Sequence, residues 1–159
     1  LGFYLTDTSD PWNSGRLMPG NYIVSEEIPS GWVLSAATCD DGSDPSNIQL
    51  QGDEVVTCTF TNQKPPVANF TATPLKGVPP LTVDFTNLST GDIDECLWDF
   101  GNGQTETNCD APSIVYAQEG QYTVILTVRG PGGEDTKTIE QYINVSFYLI
   151  FLPDVMKAD

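Results

Sequence analysis

Apolar residues along this chain come in short β-branched or aromatic runs, among them Asn21-Tyr-Ile-Val-Ser25, Glu54-Val-Val-Thr-Cys-Thr-Phe60 and Gln121-Tyr-Thr-Val-Ile-Leu-Thr-Val128. Each run is bounded by Gly, Pro, Asn or Asp, the pattern of strands between turns. No 3.6-residue apolar period persists long enough for a helix, and 12 Pro and 14 Gly would interrupt one. The pattern predicts an all-β chain.

A polar stretch, Asn62-Gln-Lys-Pro-Pro66, breaks the series, because two prolines cannot continue a central ladder. It divides the chain into two expected sandwiches, 1–63 and 64–146. Residues 147–159 form a tail of different character, with Phe147, Tyr148, Leu149, Ile150, Phe151 and Leu152 followed by Val155 and Met156. A run without alternation calls for burial on both faces, as in a strand covered on both sides. It is far shorter than the ~20 residues a bilayer-spanning helix needs.

Composition then removes whole classes of function. Twenty-two acidic residues face six Lys and Arg, a formal charge of -16, so nucleic acid and anionic membrane surfaces would be repelled. The chain has no His, which excludes imidazole catalysis, His-containing nucleophile triads and His-ligated zinc. An even Cys count without close CxxC spacing fits disulfides made in an oxidising, extracellular setting.

Residues 67–145 resemble a known family. The carriers are Val67-Ala-Asn-Phe-Thr-Ala-Thr-Pro74, Gly77-Val-Pro-Pro-Leu-Thr-Val-Asp-Phe-Thr-Asn87, Ser89-Thr-Gly91, Trp98-Asp-Phe-Gly-Asn-Gly103, Tyr116, Gly120-Gln-Tyr-Thr-Val-Ile-Leu-Thr-Val128 and Gly130-Pro-Gly-Gly133. Together they resemble a PKD (polycystic kidney disease) domain. That resemblance implies an immunoglobulin-like antiparallel sandwich serving as a non-catalytic spacer, adhesion or binding module outside the cell. Alternation places Trp98 and Phe100 in the core, with Asp99 facing away or capping the turn. Asn102-Gly103 signals a hairpin.

Residues 1–63 carry a looser resemblance. Leu17-Met-Pro-Gly-Asn-Tyr-Ile-Val-Ser-Glu-Glu-Ile-Pro-Ser-Gly-Trp32 and Glu54-Val-Val-Thr-Cys-Thr-Phe-Thr-Asn62 are similar to Cna-B or SpaA-type prealbumin-like domains of bacterial surface proteins. The family implies one or two strands ahead of the segment matched by Leu1-Gly-Phe-Tyr-Leu5, and here they are missing. A sandwich without its first strand has an open edge and groove. The tail, Phe147 to Met156, is a candidate donor strand for a neighbouring copy, a head-to-tail contact that would build filaments. Two alternatives stand beside it: the chain was cut from a longer polyprotein, or the tail folds back onto its own domains. The same resemblance implies an isopeptide site, with its acid at Glu26 and its amide at Asn62. The attacking Lys belongs on the missing strand, so Lys157 would supply it in trans only if the tail is the donor.

Local pairing joins Cys39 to Cys58 and Cys96 to Cys109, although sequence permits both cross-domain connectivities too. A redox-active pair is disfavoured by the wide spacings. Asp40, Asp41 and Asp44 form an acidic turn that is a candidate calcium site, without the spacing of a twelve-residue calcium loop, beside the plainer role of solvated turn residues. No other cofactor is expected. Paired carboxylates on loop tips do not make a glycosidase. Asn69, Asn87 and Asn144 begin acceptor triplets for glycosylation.

The sequence therefore reads as a non-enzymatic, secreted or surface structural protein, a filament or pilus-like subunit whose partners are copies of itself. The alternative is an accessory module, contacting polysaccharide or protein, of a larger secreted bacterial protein. Trp12 and Trp32 discriminate, since a Trp lying flat on the surface favours sugar stacking.

Overall fold

The computed structural model describes the backbone of residues 2–5 and the whole of residues 13–147. All regular structure among them is strand, and no helix there is long and apolar enough to cross a membrane. The chain divides into two compact units, each treated by itself. The first is Leu1–Val67 with Thr90–Asp94 and Val128–Asp135, and the second is Ala68–Ser89, Glu95–Thr127 and Thr136–Asp159.

In the first unit, β1 (Gly2–Leu5), β2 (Gly20–Glu26) and β4 (Ile48–Leu50) form one sheet in the order β1-β2-β4, while β3 (Val33–Cys39) pairs with β5 (Cys58–Gln63). β1 runs parallel to β2, with Gly2 opposite Ile23 and Leu5 opposite Glu26. Alternation along β2 turns Tyr22, Val24 and Glu26 inward and leaves Ile23 56% exposed. A bulge between Leu34 and Ala36 resets the register of β3, and Ser35 Oγ donates to the Thr61 carbonyl at 2.9 Å. The unit is thinly filled: within 13–67, Cys39 and Ile48 are the buried hydrophobics.

The strand expected over Glu54–Phe60 begins only at Cys58. Asp40 Oδ1 takes the Thr57 amide at 2.9 Å and Glu54 Oε2 takes the Gln51 amide at 2.7 Å. Side-chain acceptors thus satisfy backbone donors in this stretch, and Val55 is 85% exposed.

The second unit is a sandwich with a dense core. One sheet has the order β11-β8-β6, from β11 (Ser113–Tyr116), β8 (Leu81–Asn87) and β6 (Phe70–Thr73). The other has the order β10-β9-β12-β13-β7, from β10 (Thr105–Glu106), β9 (Glu95–Asp99), β12 (Gly120–Gly130), β13 (Gly133–Val145) and β7 (Lys76–Gly77). Val83 and Phe85 from the first sheet and Trp98, Val124 and Leu126 from the second are all buried, with Phe85 edge-on to Trp98 at 5.8 Å. The Trp98 and Phe100 rings stack at 5.7 Å, with Phe70 edge-on to Trp98 at 5.3 Å. Burying an aromatic of this size is worth on the order of 5 kcal/mol.

Asp99, on the opposite face of β9, turns its carboxylate to the Gly101 amide at 2.9 Å, and Asn102 Oδ1 accepts from Gln104 at 3.0 Å. These bonds shape the β9–β10 hairpin.

Candidate functional site

Glu26 is the last residue of β2 and Asn62 lies near the end of β5, so the alternation of each strand delivers both side chains to the inner face of the first unit. Asn62 Nδ2 donates to Glu26 Oε1 at 2.7 Å. The remaining oxygens, Glu26 Oε2 and Asn62 Oδ1, are buried and have no hydrogen-bond partner among the described residues. Two buried acceptors side by side are an unfavourable arrangement that a donor, such as an ammonium or hydroxyl, would relieve. The face around them is only half covered: Tyr22, Val24, Phe60 and Val33 are all part-exposed. Lys157 lies outside the described residues.

Of the donor-strand candidates, Phe147 is described and is 63% exposed. Tyr148, Leu149, Ile150, Phe151, Leu152, Val155 and Met156 lie outside the described residues, as does Trp12. Trp32 is 37% exposed, and the Lys64 ammonium sits 5.0 Å from its ring centroid. Its flat face is therefore shared with a cation of the same unit, a cation–π contact.

Cys39 is bonded to Cys58, its register partner across β3 and β5, and Cys96 to Cys109, with no free cysteine remaining among the described residues. The acidic turn does not converge on a shared point. Asp40 accepts from Thr57, Asp41 from the Ser43 amide and hydroxyl, and Asp44 from those of Ser46. These serine contacts hold the Asp41 and Asp44 carboxyls below the usual carboxylate range. No group of three or more metal-ligating side chains occurs among the described residues. Asp41 and Asp44 each close their own turn, while Asp40 reaches across to the backbone ahead of β5.

Two of the glycosylation triplets are engaged in structure. Asn69 Oδ1 takes the Lys137 ammonium at 2.6 Å, and Asn87 Nδ2 donates to the Cys109 carbonyl at 3.0 Å.

Tyr116 is an ionisable group perturbed by burial. It has no solvent exposure and donates to the Phe100 carbonyl at 3.0 Å. Burial first, then the neighbouring Tyr122 and Asp99, push its phenol above the ordinary tyrosine range. Its surroundings are core, so the shift is structural.

Residues 62–145 match the family model described as a PKD domain, and residues 6–64 match that of a prealbumin-like fold domain. The pre-pro-metalloprotease PrtV of Vibrio cholerae serotype O1 is 41% identical over 80 residues, 50% of this chain and 8% of that protein. Collagenase ColA of Bacillus cereus is 41% identical over 54 residues, 34% of this chain and 6% of that one. The chain thus spans only a small fraction of the curated relatives it matches. Among solved structures, the PKD1 domain of Vibrio anguillarum Epp is 36% identical with a TM-score of 0.43, over 53% of this chain and 99% of that one. The PKD1 domain of Vibrio cholerae PrtV is 41% identical with a TM-score of 0.39, over 50% and 98%.

Proposed function

Because the chain belongs to the PKD domain family, we propose that it is a non-catalytic extracellular module, an accessory spacer or binding part of a larger exported bacterial protein. We take its domains as 1–63 and 64–146, with 147–159 as a separate tail. The carrying observation is the PKD match itself, over 62–145, to a sandwich whose interior is filled by Trp98, Phe100 and Phe85. Relatives that carry this segment as 8% or 6% of their length are named as a metalloprotease and a collagenase, which favours a part that serves an enzyme. Two disulfides favour an oxidising compartment. The ligand class we propose is an insoluble extracellular polymer, protein or polysaccharide. Co-sedimentation of the purified chain with fibrillar collagen, chitin and cellulose tests it. Saturable retention on one of them supports a binding module, and retention on none leaves the spacer role.

A second reading concerns the first unit. Among the described residues, its inner face is half covered, β3 and β5 form a two-stranded sheet, and two buried acceptors lack donors. These features favour completion by an added strand, the tail of another copy, with Lys157 brought to Glu26 and Asn62. Electron microscopy and light scattering of the full chain against one ending at Val145 test this. Polymers lost on truncation support strand exchange, and monomers from both overturn it.

A further inference from the structure

Lys64-Pro-Pro-Val67 has the composition of a cleavable linker, yet both of its backbone amides are bonded. The Lys64 amide donates to Asp92 Oδ2 at 2.7 Å, and the Lys64 carbonyl accepts from the Asp92 amide at 3.0 Å. Three residues on, Val67 and Thr90 exchange both of their N–H···O bonds, at 2.8 and 3.0 Å. Pro65 and Pro66 have no amide hydrogen, so every donor in the run is bonded.

Glycines form the seat beneath it. At Gly91, with φ +99°, a Cβ would collide with the Pro65 carbonyl, and at Gly132 a Cβ would stand 2.9 Å from Pro65 Cα. At Gly130 a Cβ would collide with the Asp92 carbonyl, so the bend that bonds Lys64 is itself closely backed. All of these residues belong to the first compact unit and to the PKD match.

We propose that residues 64–67 are a strap, held by Asp92 and Thr90 over a glycine seat, which closes this segment to proteases. A protease takes its substrate as an extended strand with free backbone groups, so a segment already paired must open locally before it is cut. The strap therefore protects a stretch whose composition otherwise invites cleavage.

Proline itself blocks trypsin after Lys64, so the test removes that protection and leaves the strap. In the full chain carrying Pro65→Ala, trypsin cleavage between 64 and 65 is followed by mass spectrometry. We expect cleavage at least ~10-fold slower than in a peptide of residues 58–72 with the same change, and a gain of about tenfold on adding Asp92→Ala. Cleavage of the Pro65→Ala chain at the peptide's rate overturns the proposal, as does indifference to Asp92→Ala. Hydrogen exchange in the unaltered chain gives an independent reading: slow exchange at the amides of Val67, Thr90 and Asp92 is expected, and exchange at the rate of an unstructured chain overturns it.

Discussion

Asn62 and Glu26 share one hydrogen bond, 2.7 Å from amide nitrogen to carboxylate oxygen, and each keeps one oxygen that is buried and unbonded among the described residues. The bond ties β5 of one sheet to β2 of the other, in a unit whose apolar core is small. Glu26→Ala strips the Asn62 amide of its acceptor and is expected to destabilise the first unit by about 1–3 kcal/mol. Glu26→Gln restores an acceptor and most of the loss. Urea unfolding followed at the first unit measures both, and equal damage from the two variants would show that the hydrogen bond is not what the pair contributes.

Reduction should divide the chain's behaviour in two. The Cys39–Cys58 bond spans 19 residues of sequence and the Cys96–Cys109 bond 13, so their chain-entropy contributions are similar, on the order of 3 kcal/mol each. Their settings differ, because the second unit has a filled aromatic core and the first does not. Under dithiothreitol the first unit is expected to unfold in denaturant well before the second. Hydrogen exchange resolved by residue checks this, and simultaneous loss of both units would mean that the first has stability beyond its visible core.

Much of this difference was legible in the residues, and the reasons it was incomplete are physical. Trp98, Asp99 and Phe100 alternate on a strand that ends in a Gly-Asn-Gly turn, and alternation is a local property, so their placement could be read directly. β13 was harder. Glu134, Asp135, Lys137 and Glu140 make its outer half look like a loop, and only pairing with its sheet neighbours makes it a thirteen-residue strand. Val55 and Val56 suggested a strand that does not form, since two carboxylates, Asp40 and Glu54, satisfy nearby amides instead. The proximity of Glu26 to Asn62 came from a family resemblance, whereas their unbonded oxygens depend on three-dimensional packing that no spacing encodes. The glycine seat under Pro65 is likewise invisible in sequence, because Gly91 and Gly132 are distant from it along the chain.

Gly101 is a position where substitution should fail on two counts. Its φ is +72°, and a Cβ would collide with the Thr123 carbonyl. Strain at a left-handed residue and displacement of β12 add, so Gly101→Ala is expected to destabilise the second unit by roughly 2–4 kcal/mol. Gly103→Ala has the same sign of φ, +85°, but open space around it, and should be milder. Thermal melts of the pair check the order, and an inverted order would show that crowding at Thr123 is relieved cheaply.

Alkaline destabilisation should carry the signature of Tyr116. Its phenol is pushed above the ordinary range in the folded state by burial, so on unfolding it would release its proton more readily. The folded state then holds more protons than the unfolded one above pH ~10, and stability falls as pH rises from there. Below that pH the contribution is fully present. Tyr116→Phe removes the titration along with the bond to the Phe100 carbonyl, lowering stability at pH 8 by about 1–2 kcal/mol while flattening the decline towards pH 11. Parallel slopes for the two proteins would assign the alkaline loss to other tyrosines.

If the tail of one copy completes the first unit of another, chemistry at Asn62 follows. The Lys157 amine would attack Cγ of Asn62, forming an amide, with the Nδ2 nitrogen leaving as ammonia. Glu26, already bonded to that nitrogen, is placed to take a proton from the attacking amine and return one to the leaving group. No oxidant or cofactor is needed. The expected result for the full chain at high concentration is a ladder that survives boiling in detergent and reductant, each step lighter than the sum of its monomers by one ammonia. Lys157→Arg, Asn62→Ala and Glu26→Gln should each abolish the ladder, and Glu26→Gln should do so while leaving the first unit nearly as stable as before. A ladder that persists without Lys157 would place the reacting amine elsewhere, and its absence from the unaltered chain would leave Glu26 and Asn62 as a structural pair.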